Sequence, residues 1–254
     1  MSPRCEVARL GLVDYEKAWR LQETLAAEIA SHFRPPTLLL LEHPHTYTFG
    51  RRGHPENMLW DEAERARRGV TALWVDRGGD VTYHGPGQLV GYPLLPLAPV
   101  RLQAPPEGKD SLTLPQADYV GYLRKLEATL ILALSHLGVA SEQVQGLTGV
   151  WVCPEHLLPY SRRSPAADPK PAKIAAIGVK VDVKGISRHG FALNVNPDMT
   201  YWDGIVGCGL KDYPITSLAQ LLDPPLAMPQ VIDAVTASFG EIFDYEMVEV
   251  SIEA

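Results

Sequence analysis

The chain has 254 residues, 46% of them apolar and 21% charged, the balance of ordinary folded material with room for one sizeable core. A formal charge of −7 argues against a general nucleic-acid binder, and no apolar run approaches the roughly 20 residues that cross a bilayer. One domain over residues 1–254 is expected, in the cytoplasm, because MSPRCEVARLGLVDYEKAW lacks a basic stretch followed by an apolar one.

In chain order, Asp14 is a plausible N-cap, and Ala18, Leu21, Leu25 and Ile29 recur at helical spacing through about His32. TLLLL at 37–41 and TALWVD at 71–76 read as strands. His43, His45 and His54 invite a metal reading, but no helical i,i+4 pair or cysteine completes a ligand set. Arg51 with Arg52, and Arg65 with Arg67 and Arg68, form small basic clusters in an acidic chain. RGGDVTYHGPGQLVGYPLL at 77–95 carries more breakers than a core strand should, and its glycines suit close approach of backbone to a ligand. It has neither a GxxxxGK[S/T] nor a GxGxxG pattern, so the two common phosphate cradles are absent.

Residues 117–137 predict a helix with Val120, Leu123, Leu130, Leu134 and Leu137 on one face and Gly138 as its stop. VRLQAPPEGKDSLTLPQ and PEHLLPYSRRSPAADPKPAK read as exposed loops. KIAAIGVKVDVKGISRHGFALNVN predicts a hairpin turning at Lys-Gly, then a helix carries Val231, Ile232, Val235, Phe239 and Ile242, and DYEMVEVSI closes as a strand. Strands and helices mix without a strict βαβ rhythm, so the expected fold is α/β (α+β), a mixed, largely antiparallel sheet flanked by helices.

Four positions could carry chemistry. Strict alternation puts Lys173 on the face of Ala175, Ile177, Val179 and Val181, either snorkelling from a strand end or serving as a partly desolvated acid-base group. Cys208 lies between Gly207 and Gly209. It is a structural thiol, or a nucleophile on a sharp turn that a lysine ammonium could hold ionised. His84 and His189 could orient a reacting group or be satisfied structural histidines. Cys5 and Cys153 complete an odd, scattered set that encodes neither disulfides nor a CxxC site, and no GxSxG elbow is present.

RGGDVTYHGPGQLVGYP, KIAAIGV, ISRHGFALNVN and GCGL, in this order, resemble the lipoyl(octanoyl) transferase family over most of the chain, from LLLLEHPHTYTFGRR through PITSL. The resemblance implies the fold shared by biotin ligases and lipoate ligases. It also implies transfer of an octanoyl group from the phosphopantetheine of octanoyl-acyl carrier protein to a lysine of a lipoyl domain, with Cys208 carrying the thioester and Lys173 as its acid-base partner. Substrate contacts would fall on Arg77, Gly78, Gly79, Asp80, Val81, Thr82, Tyr83 and His84, then Ala176, Ile177 and Gly178, then Gly190, Phe191 and Ala192. Acceptors would be the lipoyl domains of 2-oxoacid dehydrogenase complexes and the glycine cleavage H protein. No cofactor, ATP or metal would be needed, and neither nucleic acid nor membrane would be a partner. An arginine such as Arg51 or Arg68 would guide the acidic carrier. Gly207 stands where the family commonly has proline, and Cys153, in the long loop before Lys173, is the competing nucleophile. An ATP-dependent lipoate or octanoate ligase is the alternative enzyme, and a catalytically idle lipoyl-domain scaffold the alternative of another class.

Overall fold

The structure is a computed structural model that describes residues 2–97, 118–156 and 170–253; the two proline-rich stretches lie wholly or mostly outside them. In chain order the elements are β1 (Arg4–Leu12), α1 (Tyr15–Ala30), β2 (Thr37–Glu42), β3 (Thr46–Phe49), α2 (Glu62–Arg67), β4 (Thr71–Trp74), β5 (Val81–His84), β6 (Gln88–Leu94) and α3 (Tyr119–His136). There follow β7 (Val150–Val152), β8 (Ala172–Val181), β9 (Ser187–Asn194), α4 (Leu218–Leu221), α5 (Met228–Phe243) and β10 (Glu246–Glu249). Among the described residues no helix is long and apolar enough to cross a membrane.

Seven strands form one sheet in the order β10-β1-β2-β6-β9-β8-β7. β1 is parallel to both β10 and β2, and every other pairing is antiparallel. The sheet is therefore mixed and mostly antiparallel, as expected. A second sheet, β4-β3-β5, has three strands.

Period-2 alternation assigns the two faces of the large sheet. Leu38 and Leu40 of β2 pack with Leu126 and Leu130 of α3 and with Val235 and Phe239 of α5. Their neighbours Leu39 and Leu41 pack with Ala18, Leu25 and Ile29 of α1. Helices thus cover both faces, which is why TLLLL is apolar without a break. Asp14 caps α1 by accepting the Lys17 N–H at 3.1 Å. In α3 the buried stripe is Tyr122, Leu126, Leu130, Ala133 and Leu134, while Val120 is 66% exposed. Val120 sits two residues off the i,i+4 row that faces the core, so the expected stripe is corrected at its N-terminal end.

The breaker-rich stretch does hold a core strand, contrary to expectation: all seven residues of β6 are buried. Gly91 lies opposite Phe191 of β9, and a Cβ at Gly91 would stand 2.1 Å from the Phe191 ring. That glycine leaves space for an aromatic ring across the ladder, so it strengthens packing there instead of breaking the strand.

Candidate active site

A cavity of about 730 Å³ opens between the α1 face of the large sheet and the small sheet, within the size range of small-molecule sites. Lys173 and Cys208 both line it. The backbone brings them there: the Lys173 N–H donates to the Pro214 carbonyl at 2.8 Å, and the Thr216 N–H donates to the Lys173 carbonyl at 2.9 Å. Residues 214–216, a few positions past the cysteine, thereby run parallel to the start of β8. Cys208 itself occupies the middle of a tight 3₁₀ turn, Gly207–Gly209, with φ at 55°. A non-glycine residue held in that left-handed region is a locally strained one, and such strain is often found at working sites.

Lys173 is not in register with Ala175 and Ile177. Pairing of β7 with β8 slips, with Val150 opposite Ala175 but Trp151 opposite Lys173, so Ile174 is an extra residue. The bulge lets Ile174 and Ala175 both enter the core beneath the helices and turns the lysine toward the cavity. Its ammonium lies 4.7 Å from the centre of the Trp151 ring, a cation–π contact. Gly149 adjoins the lysine stem, and its N–H donates at 2.9 Å to Glu127, a carboxylate buried on α3.

Residues 77–80 form the opposite wall. The Gly78 N–H donates to the Val179 carbonyl at 2.9 Å, which docks this loop on β8. A Cβ at Gly178 would lie 3.0 Å from the Gly78 carbonyl and 3.2 Å from Arg77 Cδ, so the arginine stem passes over a position that only glycine leaves open. Arg77 is 6% exposed, and it donates to the carbonyl and hydroxyl of Thr48 and to the Gly78 carbonyl at 2.5–3.2 Å. Along β5 alternation divides the motif. Thr82 and His84 face the cavity, whereas Val81 and Tyr83 pack on Tyr47, Phe49 and Ile205. The other expected contact positions, Gly78, Gly79, Asp80, Ala176, Ile177, Gly178, Gly190, Phe191 and Ala192, line the cavity with Arg77. Val81 and Tyr83 are corrected to supporting positions, because successive strand residues point to opposite faces.

The inner end is a network of phenols and imidazoles. His43 is fully buried, and burial pushes its pKa down to about 4, so it is neutral. Its Nδ1 lies 2.7 Å from the Val13 carbonyl and must donate; its Nε2 then accepts from the Tyr92 hydroxyl at 2.7 Å. Burial also lowers His189, outweighing the nearby Asp76. His189 Nε2 lies 2.7 Å from Asp76 and Nδ1 lies 3.5 Å from the Tyr15 hydroxyl. Burial raises Asp76, but hydrogen bonds from His189 and Lys180 and the Arg188 charge win and hold it well below the usual carboxylate range. His84, also lowered by burial, lies 2.9 Å from Gln88. Gln88 donates to Asn194 and Asn194 to the Thr216 carbonyl, each at 2.9 Å, which links β5 to the segment that clamps Lys173. Tyr15 and Tyr92 were not foreseen as lining residues; alternation with Val90 would have found Tyr92 once β6 was known to be a strand.

His45 bonds to Tyr83 at 2.9 Å and stacks on Tyr201, while His43 turns inward, so the HPH spacing sends its two imidazoles to different neighbours. Cys153 donates to Glu142 at 2.8 Å, and burial together with that carboxylate pushes its thiol up to about 11. Cys5 is buried in the core, its thiol pushed up to about 12. Arg67 and Arg68 are both paired to Glu64, and Arg68 also covers the Trp60 ring. Arg51 and Arg52 are exposed, and Arg52 lies on the cavity wall.

Residues 14–240 match the model of the lipoyl protein ligase A/B catalytic domain. The chain belongs to that family. Its relatives include an octanoyltransferase of Chloroflexus aggregans, 43% identical over 239 residues and covering 94% of each chain. An octanoyltransferase of Koribacter versatilis is 39% identical over 94% of this chain and 84% of its own. A bipartite lipoate protein ligase of Thermoplasma acidophilum superposes with a TM-score of 0.67 over 99% of this chain and 88% of its own, at 16% identity. A lipoate-protein ligase A bound with ATP gives 0.66 over 99% and 90%, at 15% identity. These last two show the shared fold.

Proposed function

We propose that this member of the family is an octanoyltransferase. It takes an octanoyl group from octanoyl-acyl carrier protein, holds it as a thioester on Cys208, and passes it to a lysine of a lipoyl domain. The observation that carries the proposal is the convergence of Cys208, on its strained turn, and Lys173, turned by a bulge, on one cavity. Relatives about 40% identical over nearly the whole chain are octanoyltransferases, which supports the same reaction.

In the first half the Cys208 thiolate attacks the carbonyl carbon of the donor thioester. The bond to the carrier sulfur breaks, and that sulfur leaves as a thiol with the proton of the Lys173 ammonium. A thioester replaces a thioester, so no ATP is required. In the second half the neutral amine of the acceptor attacks the acyl-enzyme and a C–N bond forms. The C–S bond breaks to restore the thiolate, and the amine proton returns to Lys173. Val90, Ile177, Phe191 and Ala192 give the cavity apolar walls, and burying the alkyl chain there contributes roughly 0.8 kcal/mol per methylene. Arg52 on the cavity wall and the exposed Arg51 beside it in sequence suit an acidic carrier; Arg68 is already engaged within the molecule. The proposal places the reaction in the cytoplasm, with no cofactor.

One assay separates this reaction from that of an ATP-dependent ligase. Octanoyl carrier protein with a lipoyl domain should give the octanoylated domain without nucleotide, and free octanoate with ATP should give none. The reverse pattern would assign the ligase reaction; no product from either would assign a scaffold.

A further inference from the structure

We propose that Arg77 is a second cation serving Cys208, holding negative charge on its sulfur across the cavity from Lys173. The proposal rests on Cys208 being the nucleophile. Arg77 is almost entirely withdrawn from water, yet each of its hydrogen-bond acceptors is neutral: the carbonyl and hydroxyl of Thr48 and the carbonyl of Gly78. The carboxylates on either side of it in sequence are committed elsewhere. Asp76 is held by Lys180, Arg188 and His189, and Asp80 accepts from the backbone of His54 and Val81 and from the Asn57 side chain. Among the described residues no carboxylate pairs with Arg77 within 4.0 Å, the limit for an ion pair. A buried guanidinium without a counter-ion is costly, and Arg77 lines the same cavity as Cys208.

The Cys208 turn is fastened to the same loop. The Val206 N–H donates to the Asn57 carbonyl at 2.8 Å, and the Asn57 amide in turn holds Asp80 at 2.5 Å. A Cβ on Gly209 would reach within 3.1 Å of that Asp80 carboxylate. The sulfur and the guanidinium therefore face one space from two segments locked together. Burial lowers the proton affinity of Arg77, and neighbouring groups that include Cys208 and Asp80 work against that lowering. The same charge would stabilise the oxyanion formed when the thioester is attacked.

The test is the pH dependence of Cys208 alkylation by iodoacetamide, in a Cys153→Ala background that leaves Cys5 buried and Cys208 as the accessible thiol. Arg77→Gln should move the half-maximal alkylation pH upward by about one unit, a roughly tenfold slower reaction near neutral pH. Its melting temperature should equal or exceed that of the parent, since a buried unpaired charge has been removed. Arg77→Lys, which restores a cation, should return the profile toward the parent. An unchanged profile in Arg77→Gln would overturn the proposal and assign the charge to an anionic group of a ligand. So would loss of folding in that variant, or a shift that Arg77→Lys fails to reverse, because either outcome makes packing the cause. Alkylation needs no octanoyl donor, so failure of the transferase reading would appear separately, as a parent enzyme with a reactive Cys208 that never becomes acylated.

Discussion

Acid should weaken this protein well before its carboxylates titrate, because its cavity floor is built on neutral imidazoles. His43 has a folded pKa near 4 against an ordinary 6.5. The folded state therefore stays neutral while the unfolded chain takes up a proton. The contribution is complete above pH 6.5 and is lost as pH falls toward 4, at about 1.36 kcal/mol per unit, or about 3 kcal/mol in all. His84 and His189 are lowered in the same direction by burial and add to the slope. Urea unfolding followed by tryptophan fluorescence at about pH 7 and about pH 5 should show a loss of at least ~2 kcal/mol, a large part of a typical 5–15 kcal/mol total. In His43→Gln the difference should shrink by about that amount. Equal stability of the parent at the two pH values would refute the neutral-histidine floor.

Initial rates with both protein substrates varied should give parallel double-reciprocal lines, since donor and acceptor take turns at one sulfur; intersecting lines would require both bound at once. Glu127→Ala should lower stability by about 1–3 kcal/mol, because the buried Gly149 N–H loses its acceptor beside Lys173; an unchanged thermal melt would contradict this. Ala192→Leu should shorten the acyl channel, so that octanoyl transfer falls more than hexanoyl transfer, and an equal fall in both would place the chain elsewhere.

The helices, the hairpin and the TLLLL strand were legible because each pairs a clear hydrophobic period with a recognisable stop. β1 was not. In CEVARLGLV the charged Glu6 and Arg9 dilute the apolar pattern, and the ladder with β2 is interrupted between Arg9 and Gly11. β3 escaped notice because TYTF reads as polar, although all four residues are buried. Strict alternation assigns Lys173 to the wrong face, since one extra residue in β8 reverses parity and a bulge has no local signature there. The motif from Arg77 to His84 reads in sequence as one contact surface, but its strand half divides by alternation into Thr82 and His84 on one side and Val81 and Tyr83 on the other. Arg77 stood out in the sequence only as part of a motif. That its charge is buried without an acid beside it follows from three-dimensional packing alone.

Intact-mass spectrometry after mixing with octanoyl carrier protein, without acceptor, addresses the nucleophile most directly. The parent and Cys153→Ala should each gain one octanoyl group that hydroxylamine removes, and Cys208→Ala should gain none. An adduct that persists in Cys208→Ala and disappears in Cys153→Ala would contradict the account.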